Sequence, residues 1–242
     1  METLFIVQSG TGQDPTHDLP VVSLPHLRSI ELGAREARSG LISYLRFPSN
    51  IAVGFRMKVG SDLRGGNPLE DMTTMQHVLG SVNIHRITFA VGSQGPVGGS
   101  GLLVRLEWLR GSLEITYPLE TDTAVRNILF GPSGALFSSR PPYIENTREL
   151  HVVGCFFGGD QELNHIHAAM PNLVSISFFH YTGPRVFGLL TPTNSSSPPF
   201  PHLERVMVLG PGWGLKEMVK SRKDYGLPLK TRNWKGVRVA RV

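Results

Sequence analysis

The chain has 242 residues, 40% hydrophobic and 18% charged, a balance that excludes a disordered polymer and suffices for one core or one continuous repeat stack. Cys155 is the only cysteine, which excludes an intramolecular disulfide or a cysteine-based zinc cluster and points to the cytoplasm or nucleus. The net charge is +5, but residues 216–242 hold nine Lys/Arg and two Asp/Glu, which is +7 and leaves −2 elsewhere.

Met1 to Val7 alternates like a strand, and its apolar run has no basic leader, so no signal peptide is expected. A domain opening in mid-strand would leave a sheet end uncovered, so the chain reads as incomplete at its N-terminus. Leu24-Pro25-His26-Leu27 leads into Ile30 and Leu32, and Ala34, Ala37, Leu41, Ile42 and Leu45 make a helical stripe. Ile51, Val53, Phe55 and Met57 alternate as a strand; Asn67, Pro68 and Glu70 then start a helix carrying Leu69, Met72, Met75 and Leu79. Ile84, Ile87 and Phe89 open the next strand.

Residues 92–124 break this rhythm. Five glycines between Gly92 and Gly101 predict a loop. Leu102–Trp108 and Leu113–Tyr117 predict a hairpin turning at Arg110-Gly111, an insertion on the stack. Val125, Ile128 and Phe130 restore the strand pattern. Leu150 and Val152 follow in another strand, then a helix from Asp160 with Leu163, Ile166, His167 and Met170 on one face. Leu173, Ile176 and Phe178 repeat the strand, as do Leu203, Val206 and Val208 after a Ser/Thr/Pro-rich loop at 191–199. A helix at 215–223 buries Leu215, Met218 and Val219 and turns Lys216, Lys220 and Lys223 to water, an ordinary solvated face, so nucleic acid is not an expected partner. No apolar run approaches about 18 residues, so neither is a membrane.

Strand starts at 1, 27, 50, 84, 125, 147, 173 and 203 are mostly spaced like leucine-rich repeats of roughly 20–29 residues. An apolar-Pro-polar-apolar step recurs at Leu24–Leu27, Met170–Leu173 and Phe200–Leu203. Leu150-x-Val152-x-x-Cys155 puts the cysteine at the repeat's polar landmark, a structural rather than a catalytic place. The expected fold is therefore α/β: a leucine-rich-repeat-like solenoid over residues 1–242, with a mostly parallel inner sheet, outer helices and a β-hairpin insertion. A right-handed β-helix is the alternative, weakened by the two C-terminal helices.

At Leu24-Pro25-His26-Leu27-Arg28-Ser29-Ile30, Met170-Pro171-Asn172-Leu173 and Phe200-Pro201-His202-Leu203-Glu204-Arg205-Val206 the chain resembles the C-terminal, leucine-rich-repeat-like half of F-box proteins from mushroom-forming fungi. The basic helix and Gly226-Leu227-Pro228-Leu229-Lys230 are similar to that family's closing segment. The resemblance implies a substrate-recognition part of an adaptor in a cullin-type ubiquitin ligase. The F-box itself, which would dock on a Skp-type adaptor, is absent, so that partner is expected only if an F-box precedes Met1. After Thr231 the polar, basic Arg232–Gly236 departs from the family's apolar strand, marking 232–242 as an atypical tail.

No acid, base and nucleophile set converges in the sequence, so no enzyme, cofactor or metal is expected. The glycines of 92–101 lack the Gly-Lys-Ser/Thr ending and the helix of a phosphate-binding loop. His165 and His167 lie two apart on a helix, about 200° around it, so they share no metal; His167 should border the buried face and His165 face water. Asn194-Ser195-Ser196 fits a glycosylation acceptor, with no secretion signal to support its use. Binding is the better expectation. If Leu150 and Val152 and their equivalents point inward, the open face carries three columns: Glu149, Ser175, Arg205; His151, Ser177, Met207; and Val153, Phe179, Leu209. The apolar third column, bordered by His151, Met207 and Arg205, is the expected contact patch for a protein partner, unless a loop covers it or the third column turns inward. A stand-alone repeat scaffold unconnected to ubiquitin, or a truncated gene product, is the other reading.

Overall fold

A computed structural model describes residues 3–8, 22–23, 29–34, 45–46, 52–58, 83–92, 101–109, 111–118, 129–130, 137, 142–154, 160–179, 187–188, 190–192, 198–209 and 214–233. In chain order the strands are β1 (Thr3–Gln8), β2 (Val22–Ser23), β3 (Ser29–Ala34), β4 (Leu45–Arg46), β5 (Ala52–Lys58), β6 (Ile84–Gly92), β7 (Gly101–Trp108), β8 (Gly111–Pro118), β9 (Glu149–Val153), β10 (Ser175–Phe179), β11 (Arg205–Leu209) and β12 (Lys230–Asn233). The bounded helices are α1 (Asp160–Ala169) and α2 (Leu215–Asp224). Ten strands form one sheet in the order β1-β3-β5-β8-β7-β6-β9-β10-β11-β12, and β2 and β4 make a separate parallel pair.

This sheet corrects the expected leucine-rich-repeat-like solenoid. It is mixed, because β7 runs antiparallel to both of its neighbours. The hairpin is not an insertion on a stack but part of the sheet: β8 pairs parallel with β5, and β7 pairs with β6. The cause lies in its sequence. Leu102, Val104, Leu106 and Trp108 on β7, with Leu113 and Ile115 on β8, form one apolar face that is buried in the core. Left beside the stack, that face and two strand edges would stay in water; inside the sheet both are satisfied. The chain turns at Leu109, which is exposed, and Gly111 already pairs with Trp108.

Of the strand expected at Val125, Ile128 and Phe130, only Phe130 lies among the described residues, and there the structure differs. Leu129 and Phe130 are helical, and β9 pairs directly with β6. Leu129 is buried, and Phe130 stacks on Phe137 with ring centroids 5.2 Å apart. Ala34 and Leu45, expected on a helical stripe, lie in β3 and β4. The rest of that stripe, the helix expected from Asn67, the 93–100 glycine loop, Cys155, Asn194–Ser196 and 234–242 fall outside the described residues. Arg232 and Asn233 of the expected tail belong to β12. No helix of the described residues is long and apolar enough to cross a membrane.

The core follows from period two along the strands and 3.6 along the helices. Ile87, Leu150, Ile176 and Val206 are register partners across β6, β9, β10 and β11; Phe89, Val152, Phe178 and Val208 form the next row. All are buried, together with Leu163 and Ile166 of α1 and Leu215 and Met218 of α2. Each such side chain contributes roughly 1.5–3 kcal/mol by leaving water.

The recurring proline step has a structural reason. Leu173 N–H donates to the Met170 carbonyl at 3.3 Å and Leu203 N–H to the Phe200 carbonyl at 3.0 Å. Thr147 N–H donates to the Ile144 carbonyl at 3.0 Å, so β9, β10 and β11 are all entered through the same four-residue turn. Proline fits its second position, where φ near −65° is wanted and no N–H is used. One shared turn before each strand puts neighbouring strands in the same register.

Candidate functional site

The face of β9, β10 and β11 turned away from the core brings the expected columns together. Glu149, Ser175 and Arg205 are register partners, as are His151, Ser177 and Met207, and Val153, Phe179 and Leu209. The rows continue sideways: Arg86 and Lys230 join the first, Thr88 the second and Ala90 the third.

The first row is electrostatic. Arg86 grips Glu149 through Nη2 at 2.6 Å and Nε at 2.8 Å, and reaches Glu107 at 3.4 Å. Arg105 pairs with Glu107 at 3.2 Å and lies 3.9 Å from Glu114, while Arg205 approaches Glu149 at 3.6 Å. Burial alone would raise the Glu149 carboxyl; hydrogen bonding and charge from Arg86, with His151 and Arg205, outweigh it and hold it below the usual carboxylate range. Burial, reinforced by the Arg86 charge against Glu149 and Glu107, holds the His151 imidazole below its ordinary value. His151 is therefore neutral near pH 7.

The middle strand carries small side chains, and its neighbours lean across them. The Glu149–Arg205 pair spans Ser175, which is buried. His151 meets the edge of the Phe179 ring at 6.1 Å, diagonally past Ser177, which is 0% exposed. Beyond them Val153, Phe179, Leu209 and Met207 are each half-buried, an apolar strip at the strands' C-terminal end. Arg205 is the most open of the predicted site residues, with 52% of its side chain exposed.

Ser177, His151 and Glu149 are the residue types of a nucleophile, base and orienting acid, and their adjacency appears only in the folded chain. They do not work as one. Ser177 Oγ is buried and bonds nothing, His151 Nε2 is 4.0 Å from Glu149, and Glu149 is committed to Arg86. Among the described residues no three His, Cys, Asp or Glu side chains gather as a metal site. His167 packs on the Phe200 ring at 4.9 Å, and burial lowers its pKa. His165 does not simply face water: it is half-buried, 6.4 Å from the Phe130 ring, with Nδ1 enclosed and unpartnered.

A groove of about 1020 Å³ crosses the strand-entry turns, lined by Asn146, Arg148, Asn172, His202, Glu204 and Lys230 among others. Asn172 serves the turns, its Nδ2 donating to the Glu145 carbonyl at 3.4 Å. The groove's apolar lining, Val174, Leu203 and Leu227 with two prolines, is interspersed with these polar groups, whereas Val153, Phe179 and Leu209 are contiguous register partners on the open face, which makes that face the better apolar site.

With this geometry in hand, no family model, curated protein or solved structure matches the chain. The site is therefore read from its own chemistry.

The residue that the sequence reading missed is Arg222. It sits on α2 four residues after Met218, on the buried stripe, and is 0% exposed. Nη1 donates to the carbonyls of Leu190 at 3.1 Å and Pro199 at 2.8 Å, and Nη2 to Phe200 at 2.8 Å. Its guanidinium ties both sides of the 191–199 segment to α2. The i+4 spacing from Met218 was the available signal, obscured because arginine reads as a surface residue.

A pH dependence follows. His151 and His167 have folded-state values below the ordinary 6.5, so between those values and 6.5 the unfolded chain binds more protons. Stability is therefore full above about pH 7 and declines as pH falls through 6.5 and below. Glu149 adds a second loss as pH falls below 4.5 through its lowered value. Urea titrations between pH 8 and 4 should show the first slope, flattened in the His151→Gln, His167→Gln double variant; an unchanged slope would remove the two histidines from the account.

Proposed function

We propose that the chain is a non-catalytic protein-interaction module whose binding surface is the open face of β9, β10 and β11. The observation that carries this reading is the apolar strip of Val153, Phe179, Leu209 and Met207, half-buried on three paired strands and bordered by the Arg86–Glu149–Arg205 network. Apolar groups rimmed by charge, held by paired strands, suit a partner that anchors on the strip and is aligned by the rim. The resemblance to fungal F-box proteins supports the same reading. On that basis the module selects substrates for a cullin-type ubiquitin ligase in the cytoplasm or nucleus. This ubiquitin assignment falls if the transcript encodes no F-box upstream of Met1.

The surface is tested by selecting random displayed peptides on the immobilised chain. The Phe179→Ser, Leu209→Ser double variant should lose at least tenfold in affinity for the selected peptides, about 1.4 kcal/mol. Because both side chains are already partly exposed, folding stability should fall by only about 1–2 kcal/mol. Unfolding of the variant, or undiminished binding by a folded one, would show that the strip serves packing rather than recognition.

A further inference from the structure

We propose that the occupant of this face is an extended peptide segment that pairs a large apolar side chain with an acidic group about four residues away. This rests on the reading of the open face as an interaction surface and names what it selects.

The argument is charge and spacing. On the β6–β9 side the charges are mutually satisfied: Arg86 holds Glu149 and Glu107, and Arg105 lies against Glu107 and Glu114. On the β11–β12 side they are not. Arg205 shares Glu149 at 3.6 Å with Arg86, which takes its tighter contacts. Lys230, its register partner on β12, is exposed and has no carboxylate within ion-pair distance among the described residues. No described acid of β10, β11 or β12 lies in these rows, so the face presents a surplus of positive charge beside β11.

The surplus and the apolar strip lie at opposite ends of the same strands. Arg205 and Leu209 are four residues apart on β11, about 13 Å at roughly 3.3 Å per residue. An extended ligand has the same rise, so an apolar anchor on Phe179 and Leu209 brings a carboxylate four residues away over Arg205 and Lys230. Between them the ligand crosses Met207 and neutral His151, which accept an uncharged side chain. A basic ligand would meet Arg205 and Lys230 with repulsion, and an apolar one would leave Lys230 unpaired and only the shared Glu149 contact for Arg205.

The test uses fluorescein-labelled synthetic ten-residue peptides in a Ser/Gly background, titrated with the full chain by anisotropy. One has Phe followed by Glu-Glu centred four residues on; a second has Lys-Lys there; a third has the Glu pair next to Phe. Because a free peptide can dock in either direction, the reversed acidic sequence is included. The expected result is that one four-residue acidic peptide binds at least tenfold tighter than the lysine and adjacent-Glu peptides. That preference should weaken from 50 to 300 mM salt, and Arg205→Glu with Lys230→Glu should shift it toward the lysine peptide. Equal binding of acidic and basic peptides that still requires Phe179 and Leu209 would overturn the acidic assignment and leave the interaction face standing. Binding indifferent to Phe179 and Leu209 would overturn both. Far-UV circular dichroism of each variant confirms that a loss of binding is not a loss of fold.

Discussion

Replacing Arg222 by alanine should cost roughly 3–5 kcal/mol, the largest loss expected from a single polar side chain among the described residues. The guanidinium is fully enclosed and its three hydrogen bonds all end on backbone carbonyls, of Leu190, Pro199 and Phe200. Removing it leaves those carbonyls unpaired in a cavity, each at a cost of about 1–3 kcal/mol, partly offset because the charge no longer has to be desolvated. Burial lowers the Arg222 pKa, but a guanidinium stays protonated, so neutralisation offers no relief. Phe200 adds to the dependence. Its φ of 49° is costly for a residue with a side chain, on the order of 1 kcal/mol or more, and Arg222 is one of the contacts that hold it. Urea unfolding of three variants separates the contributions. Arg222→Lys keeps the charge but lacks the planar fork, and should lose an intermediate amount. Arg222→Met keeps much of the volume and should approach alanine. A methionine variant as stable as the parent would mean that the carbonyl bonds contribute nothing net. Because Phe200 opens the turn into β11, the alanine variant should also bind less well at Leu209 and Arg205.

Gly154→Ala should lose roughly 2–4 kcal/mol. Gly154 follows Val153 directly, has a φ of 63°, and donates its N–H to the Phe179 carbonyl at 3.0 Å. A Cβ there would run into the Val91 carbonyl oxygen of β6, which is backbone in a paired sheet and cannot turn aside. Left-handed strain accounts for about 1–2 kcal/mol and the overlap for the remainder. Gly226 is the internal control: its φ is 75°, yet an added Cβ meets nothing within 4 Å. Gly226→Ala should therefore cost only the strain. Thermal and urea denaturation of the two variants reads the difference directly, and equal losses would show that the Val91 contact yields easily. Gly154 is also where the end of β9 is fixed against β6 and β10, so its alanine variant should disturb Val153 and Phe179 first.

Much of the open face was legible because the parallel strands β9, β10 and β11 share alternation and an entry turn. Once Leu150, Ile176 and Val206 point inward, Glu149, Ser175 and Arg205 must point outward, and the common turn aligns them. The pairing across that face was not legible. Arg86 is 63 residues from Glu149, and nothing in either neighbourhood marks the other as its partner. The burial of Ser175 and Ser177 was hidden for a related reason: it is set by what packs around β10 in the folded chain, not by the serines themselves. His165 was misplaced because helical periodicity gives an angle around α1 but not what lies beside it, here Phe130.

By itself the sequence determined the local conformations of β6 to β11, α1 and α2: period-two runs made the strands, 3.6-residue stripes the helices, and the apolar-Pro-polar-apolar step the turns into β10 and β11. It also determined which side chains of β9, β10 and β11 face the core, because a strand's alternation leaves only two choices. Only the tertiary structure decided which strands are neighbours. A period-two strand is equally satisfied by any partner that covers its apolar face, so repeat spacing suggested a uniform stack. The buried face of β7 and β8 instead drew the hairpin into the sheet between β5 and β6, and β9 pairs directly with β6. Burial of Arg222 was decided at the same level, since a charged side chain can be enclosed only where folded backbone supplies the carbonyls that replace its water.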